Sequence, residues 1–114
     1  MSPADAIADA GLHGILIVGD RVSGPISAES LASTQVALKR GDVVIARGSG
    51  ADALGGPIRA IEWLLRLPGV AGLPANSIVT TGTLTAAQSI TIGETWRMEC
   101  SGPSPLAPLQ ISLI

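Results

Sequence analysis

Short apolar runs alternate with loops of glycine, proline and small polar residues, and this pattern predicts several strands and one main helix. A continuous apolar run at 15–18 predicts a short buried strand. Residues 35–38 and 43–47 flank a polar connection at 39–42 whose glycine permits the positive φ of a tight turn, so a β-hairpin is expected there. Further strands are predicted at 77–81, 91–100 and 110–114.

The strand predicted over 91–100 has the clearest period of two. Its apolar side chains, which share one face, are Trp96, Met98 and Cys100. The polar side chains between them point to the opposite face. The pattern therefore predicts a sheet with one buried and one solvated face, and it places Cys100 in the core.

One amphipathic helix is predicted after the glycine-rich stretch 47–57. An apolar stripe at helical spacing is formed by Ile58, Ile61, Leu64 and Leu65, and the proline and glycine at 68–69 end the run. A short capped helix is predicted at 2–10, and residues 21–33 are predicted to form a connecting loop. Together these elements predict a single β-rich α+β domain over residues 1–114.

Composition changes this picture in one respect. Hydrophobic residues make up 46% of the chain and charged residues 14%, whereas soluble domains carry about 25% charged residues. No apolar run is long enough to span a bilayer, so we expect no membrane partner. The high share of hydrophobic residues indicates apolar surface that binds another chain or a partner domain. The alternative is a well-buried core rich in alanine and glycine.

Charge and cysteine usage exclude some classes of function. A net charge of −2 and seven scattered Lys and Arg form no basic patch, so nucleic acid is not an expected partner. Cys100 is the only cysteine, which excludes an internal disulfide and a cysteine-cluster metal site. The first residues lack the pattern of a signal peptide. We therefore expect a cytoplasmic location.

Two loops of small residues are candidate ligand sites. In the first, which we call the glycine loop (residues 47–57), Ser49 and Gly50 precede a helix, and their amides are candidates for an anion site. The second is the threonine loop (residues 80–85), which reads Thr-Thr-Gly-Thr-Leu-Thr. The glycine loop matches neither the P-loop nor the dinucleotide fingerprint. The alternative interpretation is that both loops are connectors whose residues satisfy strand and turn geometry.

The order of these motifs resembles one known family. The glycine loop, a proline-led helix with Trp63-Leu64, the threonine loop, and Ile92-Gly93-Glu94 before a strand are similar to the C-terminal half of 2-keto-4-pentenoate hydratases and 4-oxalocrotonate decarboxylases. These enzymes belong to the fumarylacetoacetate hydrolase superfamily. The resemblance covers nearly the whole chain and implies part of a β-rich, mixed-sheet roll.

The resemblance also implies a chemistry. Members of this family use magnesium or manganese to hold a 2-oxo or 2-hydroxy acid and to stabilise the enolate formed during hydration or decarboxylation, in the breakdown of aromatic compounds. A threonine of the threonine loop donates to the substrate carboxylate, which makes Thr83 the first candidate and Thr81 the second. Gly82 would let the acid approach the backbone closely.

The chain departs from the family where the metal should bind. The resemblance places the three acidic metal ligands upstream of the segment seen here, and the acidic residues of this chain do not reproduce their pattern. No catalytic residue or metal ligand can therefore be assigned on this chain. Two hypotheses remain open: a subunit that completes an active site with an N-terminal-half partner chain, or a non-catalytic domain that persists as a homo-oligomer.

Overall fold

The computed structural model describes residues 14–23, 25–103 and 106–114, and these residues form an α+β fold around one four-stranded sheet. The helices are α1 (Ala28–Ser33) and α2 (Pro57–Leu65), with a 3-10 helix at Gly50–Asp52. The strands are β1 (Gln35–Arg40), β2 (Val43–Ser49), β3 (Thr95–Ser101) and β4 (Leu109–Ser112). The α+β class is confirmed.

The sheet has the order β2-β1-β3-β4, and all three pairs of neighbouring strands are antiparallel. The expectation of a mixed sheet is therefore wrong for the described part of the chain. The reason is local: β1 and β2 form a hairpin, and β3 returns against β1 so that Leu38 pairs with Met98.

The predicted hairpin is confirmed, and each of its strands is two residues longer than expected. Gly41 and Asp42 form the turn, and Gly41 adopts φ +59°, a left-handed conformation that glycine tolerates without cost. The amide of Gly41 also donates to the carbonyl of Thr95 (2.8 Å), which ties the turn to β3. The register shifts between Leu38 and Lys39, as in a β-bulge.

The alternation predicted for β3 is confirmed. Trp96 is buried, and Met98 and Cys100 line a cavity on the same face of the sheet. On the other face, Glu99 lies 3.0 Å from Lys39 and 2.8 Å from Arg97. One face of the sheet is therefore apolar and the other is charged. Only Trp96 of β3 is buried, and the side chains from Arg97 to Cys100 are half-buried on both faces.

The main helix is confirmed as α2, which begins at Pro57 and ends at Leu65. Gly56 is its N-cap with φ +148°, and proline follows at the first helical position, where its missing amide hydrogen costs nothing. Three residues of the predicted stripe, Ile58, Ile61 and Leu64, are half-buried. The fourth, Leu65, is exposed at the end of the helix, so its place in the stripe is wrong, and Trp63 is mostly exposed.

Two predicted strands and one predicted loop are wrong. Residues 15–18 and 77–81 form no strand, and the apolar side chains of 15–18 are exposed rather than buried. The predicted loop at 21–33 contains α1, whose N-cap Ser27 accepts from the amide of Ser30 (3.1 Å). The last strand is found at Leu109–Ser112, and the helix predicted at 2–10 lies outside the described residues.

The core of the described region is small. Its buried hydrophobic residues are Val36, Ala53 and Trp96. Thr34, between α1 and β1, is buried too, and its hydroxyl donates to the carbonyl of Ser30 (2.8 Å). In the described ranges no helix has the length and hydrophobicity needed to cross a membrane.

Candidate functional site

The glycine loop and the threonine loop meet in the structure. A Cβ on Gly48 would overlap the carbonyl of Leu84, and one on Gly50 would overlap the carbonyl of Leu31. Neither glycine has a positive φ in the left-handed region. These two positions thus need glycine because another part of the same chain lies against them.

A cavity of about 340 Å³ lies where the two loops approach the apolar face of the sheet. Gly50, Leu84 and Thr85 contribute to its wall. The apolar side chains around it are Leu31, Val36, Leu38, Pro57, Met98 and Leu106. A cavity lined in this way suits a hydrocarbon group better than a carboxylate.

Polar atoms in this cavity are few and largely engaged. The Thr34 hydroxyl donates to a backbone carbonyl, and the Thr85 hydroxyl contacts the carbonyl of Ala86 (3.4 Å). Partial burial raises the pKa of the Cys100 thiol, so this group stays protonated at neutral pH. Its Sγ lies 3.3 Å from the sulfur of Met98. The cavity therefore presents no anion and no charged donor.

Ser49 and Gly50, the predicted anion-binding residues, use their amides within the protein. The amide of Ser49 donates to Asp52 Oδ2 (2.8 Å), and the amide of Gly50 donates to the carbonyl of Thr34 (2.9 Å). Both bonds hold the loop in place at the start of the 3-10 helix. This geometry favours the interpretation of the glycine loop as a connector.

The threonine loop divides its residues between two places. Thr81 is half-buried in a groove of about 190 Å³ against α2, where it lies near Leu64 and Val79. Gly82 has φ +102° with open space around it, and Thr83 is exposed. Among the described residues, neither threonine hydroxyl has a hydrogen-bond partner.

The predicted site residues are thus brought together only in part. Gly50 shares the larger cavity with Leu84 and Thr85, while Thr81 lies in the separate groove. Sequence reasoning did not single out Leu84 or Thr85, although both belong to the threonine loop. The signal that could have found Leu84 is Gly48, because a glycine inside a strand often marks a close approach of another backbone.

The carboxylates of the described region do not form a metal centre. No three side chains of the metal-ligating types converge within it. Glu99 is held by Lys39 and Arg97, and Glu94 lies 3.6 Å from Arg40. Magnesium or manganese does not fit the residues that the structure describes, and no chemical step is assigned to a metal on them.

Comparison with known proteins agrees with the resemblance seen in the motifs. The chain is 33% identical over 100 residues to 2-keto-4-pentenoate hydratase 2 of Dechloromonas aromatica (strain RCB), a match that covers 86% of this chain and 38% of the relative. It is 31% identical over 102 residues to 2-keto-4-pentenoate hydratase 1 of the same organism, with the same coverage. The similarity to 2-keto-4-pentenoate hydratases is confirmed. No family model matches the chain.

The extent of the match is as informative as its identity. The chain spans 38% of the length of both curated relatives. More than half of each hydratase therefore has no counterpart in this chain. A continuous match over 86% of the 114 residues leaves only about 16 residues outside it, so it includes β1, β2, α2 and both small-residue loops.

Proposed function

We propose that this chain supplies one part of the active site of a 2-keto-4-pentenoate hydratase-type lyase, and that it adopts part of a fumarylacetoacetate hydrolase-type roll. The observation that carries the proposal is the similarity of 31–33% to two hydratases over 86% of the chain. The substrate would be a 2-hydroxy-dienoate or a related 2-oxo acid from the breakdown of aromatic compounds.

The chain would contribute the substrate-positioning wall. The close contact of Gly48 with Leu84 fixes the threonine loop against β2. Thr83, exposed at that loop, would donate to the substrate carboxylate, and Thr81 is the second candidate. Gly82 leaves open space for the acid between them.

The metal and the proton-transfer groups would come from polypeptide outside the described residues. We therefore expect the isolated protein not to hydrate 2-hydroxypenta-2,4-dienoate, even with magnesium or manganese added. The assay follows the loss of the ultraviolet absorbance of the conjugated dienoate. Turnover by the isolated chain would show that its site is complete and would contradict this part of the proposal.

A chimera tests the positive part. The matched region of 2-keto-4-pentenoate hydratase 2 is replaced by the corresponding residues of this chain, and hydration is measured with magnesium. We expect activity, and a Thr83→Val variant of the chimera should lose roughly 10- to 100-fold in kcat/KM, because a hydrogen bond to a charged group contributes about 1.5–3 kcal/mol. Thr83→Ser should retain most of the activity, since it keeps the hydroxyl.

Thr91→Val is the matched control, because Thr91 is also an exposed threonine but lies outside the threonine loop. Its kcat/KM should stay close to that of the parent chimera. A chimera that melts cooperatively yet shows no hydration would refute the proposed function. A Thr83→Val variant with full activity would refute the role of Thr83 and leave Thr81 as the candidate.

The second candidate function is a non-catalytic domain that associates with itself. It is favoured by the exposure of large apolar side chains such as Ile15, Ile78 and Ile92. Under this alternative the folded chimera is inactive and the isolated chain is a stable homodimer. Light scattering after size exclusion gives the oligomeric state directly.

A further inference from the structure

Two apolar segments of the described chain lie side by side without belonging to the sheet. Residues 16–18 and 78–80 line one cavity of about 330 Å³, together with Leu109 of β4. Gly19, which follows the first segment, also approaches Leu109, since a Cβ on it would lie 3.4 Å from the leucine Cδ1. The pair of segments is therefore positioned next to β4, the outer strand of the sheet.

The backbones of these segments have no backbone partner within the part of the chain that the structure describes. Among the described residues, no backbone–backbone hydrogen bond involves residues 14–23 or 78–90. Both segments are rich in isoleucine and valine, and the exposed fractions are 86% for Ile15, 64% for Val18 and 68% for Ile78. Segments rich in isoleucine and valine fit the pleated, half-buried surface of a sheet, so a partner strand would suit both of them.

We propose that residues 15–18 and 78–80 form a docking surface for a β-strand contributed by the polypeptide that the hydratases carry outside the matched region. Strand addition would pair these backbone groups and cover the apolar side chains at once. The hydratases are the source of the occupant because more than half of their length has no counterpart here. The inference rests on the proposed function for the identity of the occupant alone.

Co-expression with hydrogen exchange tests the proposal. The 114-residue chain is produced alone and together with the unmatched part of 2-keto-4-pentenoate hydratase 2, and amide exchange is followed by mass spectrometry. In the isolated chain, peptides covering 15–18 and 78–80 should exchange rapidly. In the complex their exchange should slow by roughly tenfold or more, whereas the already paired β1 should change little.

A matched pair of variants locates the contact. Ile78→Lys places a charge on the proposed surface, and Ile92→Lys places the same charge at an equally exposed isoleucine outside it. Because both side chains are exposed, each variant should keep the circular dichroism spectrum of the parent chain. Ile78→Lys should weaken the complex by roughly tenfold or more, and Ile92→Lys by less than about twofold.

Each outcome of these experiments either supports or overturns the docking proposal. Slowed exchange at both segments with selective loss in Ile78→Lys supports the proposal. The absence of a complex, a complex that leaves both segments unprotected, or a homodimer of the isolated chain that protects them overturns it. A complex with the expected protection but no hydration would refute the proposed function and leave the docking surface standing. An active chimera in which residues 15–18 and 78–80 exchange rapidly would support the proposed function and refute the docking surface.

Discussion

At the scale of single residues, the two informative glycines of the glycine loop serve the chain itself. Gly48 and Gly50 are the positions where another segment, Leu84 or Leu31, lies too close for any side chain. A run of glycines indicates a close approach of some kind, and the sequence does not say whether a ligand or a backbone approaches. In this loop the neighbour is backbone, and the amides of Ser49 and Gly50 have internal acceptors.

The first prediction concerns Gly48. Gly48→Ala should lower the free energy of unfolding by about 1–3 kcal/mol, because the new methyl group must displace the carbonyl of Leu84. Gly14→Ala is the control, since a Cβ there meets no atom within 4 Å, and it should change stability by less than about 0.5 kcal/mol. Urea unfolding measures both. Equal stability of the two variants would show that the loops do not touch.

The second prediction concerns pH. Hydrogen bonds from Lys39 and Arg97 lower the pKa of Glu99 below its ordinary 4.5. A carboxyl with a lowered folded-state pKa stabilises the fold above its unfolded pKa, and this contribution disappears as pH falls through the folded-state pKa. Glu99→Gln should therefore unfold at a lower urea concentration than the parent at pH 7, and this difference should shrink toward about pH 3.

Glu62→Gln is the control for this prediction, because Glu62 is exposed on α2 and has no ion-pair partner within 4.0 Å in the described ranges. Its urea midpoint should follow that of the parent at both pH values. A Glu99→Gln difference that persists unchanged in acid would mean that the side chain acts through packing rather than through charge.

At the scale of elements, the sequence predicted the strands whose partners lie within the described chain. The hairpin, β3 and β4 carry the period of two and pair with one another. Residues 15–18 and 77–81 also have sequences typical of strands but form no strand in the structure, because a strand needs a neighbour to accept its hydrogen bonds. The apolar pattern shows that a segment can form a strand, and the presence of a partner strand decides whether it does.

Other differences have local causes. The helix α1 was missed because Gly24-Pro25 and the small polar residues after it are typical of a loop, while its cap rests on Ser27 alone. For the candidate site, the pattern singled out both loops, and the structure brings Gly50 of the first and Leu84 of the second to one cavity. It could not predict that Thr81 would face α2, because side-chain direction in an irregular segment has no period.

The third prediction compares the contributions of β3 and α2 to the stability of the fold, using the one tryptophan in each element. Trp96 in β3 is 5% exposed and Trp63 in α2 is 55% exposed. Trp96→Ala should cost about 3–5 kcal/mol, because truncating a buried aromatic leaves a cavity, whereas Trp63→Ala should cost about 0.5 kcal/mol or less. Urea unfolding followed by circular dichroism compares them.

Trp96→Phe keeps the prediction testable if Trp96→Ala does not fold. The indole Nε1 of Trp96 is buried without a hydrogen-bond partner in the described part of the chain. Phenylalanine removes that unpaired donor and keeps most of the apolar volume, so Trp96→Phe should cost clearly less than the alanine variant. A larger loss in Trp63→Ala than in Trp96→Phe would place the centre of the core at α2.

At the scale of the whole molecule, the small core and the exposed apolar side chains have the same consequence, which is a small margin of stability. Three buried hydrophobic residues anchor the described fold, while exposed isoleucines occur before the sheet and along 78–92. Burial of apolar surface is the dominant favourable term in folding, so a chain that leaves this much surface in water has a small margin of stability. Covering that surface would raise its stability by mass action.

The fourth prediction follows from this exposure. The isolated chain in native buffer should enhance the fluorescence of Nile red, because the neutral dye partitions onto apolar surface. The comparison is full-length 2-keto-4-pentenoate hydratase 2 at equal mass concentration, in which the matched region lies within a longer chain. The enhancement should be greater for the isolated chain. The fluorescence enhancement should be lowered more by Ile78→Lys than by the control variant Glu62→Lys. Ile78 belongs to the exposed apolar surface, and Glu62 does not. Equal fluorescence from the chain and the hydratase would mean that the apolar segments of the isolated chain are already covered. A dimer of the chain would then be the simplest explanation.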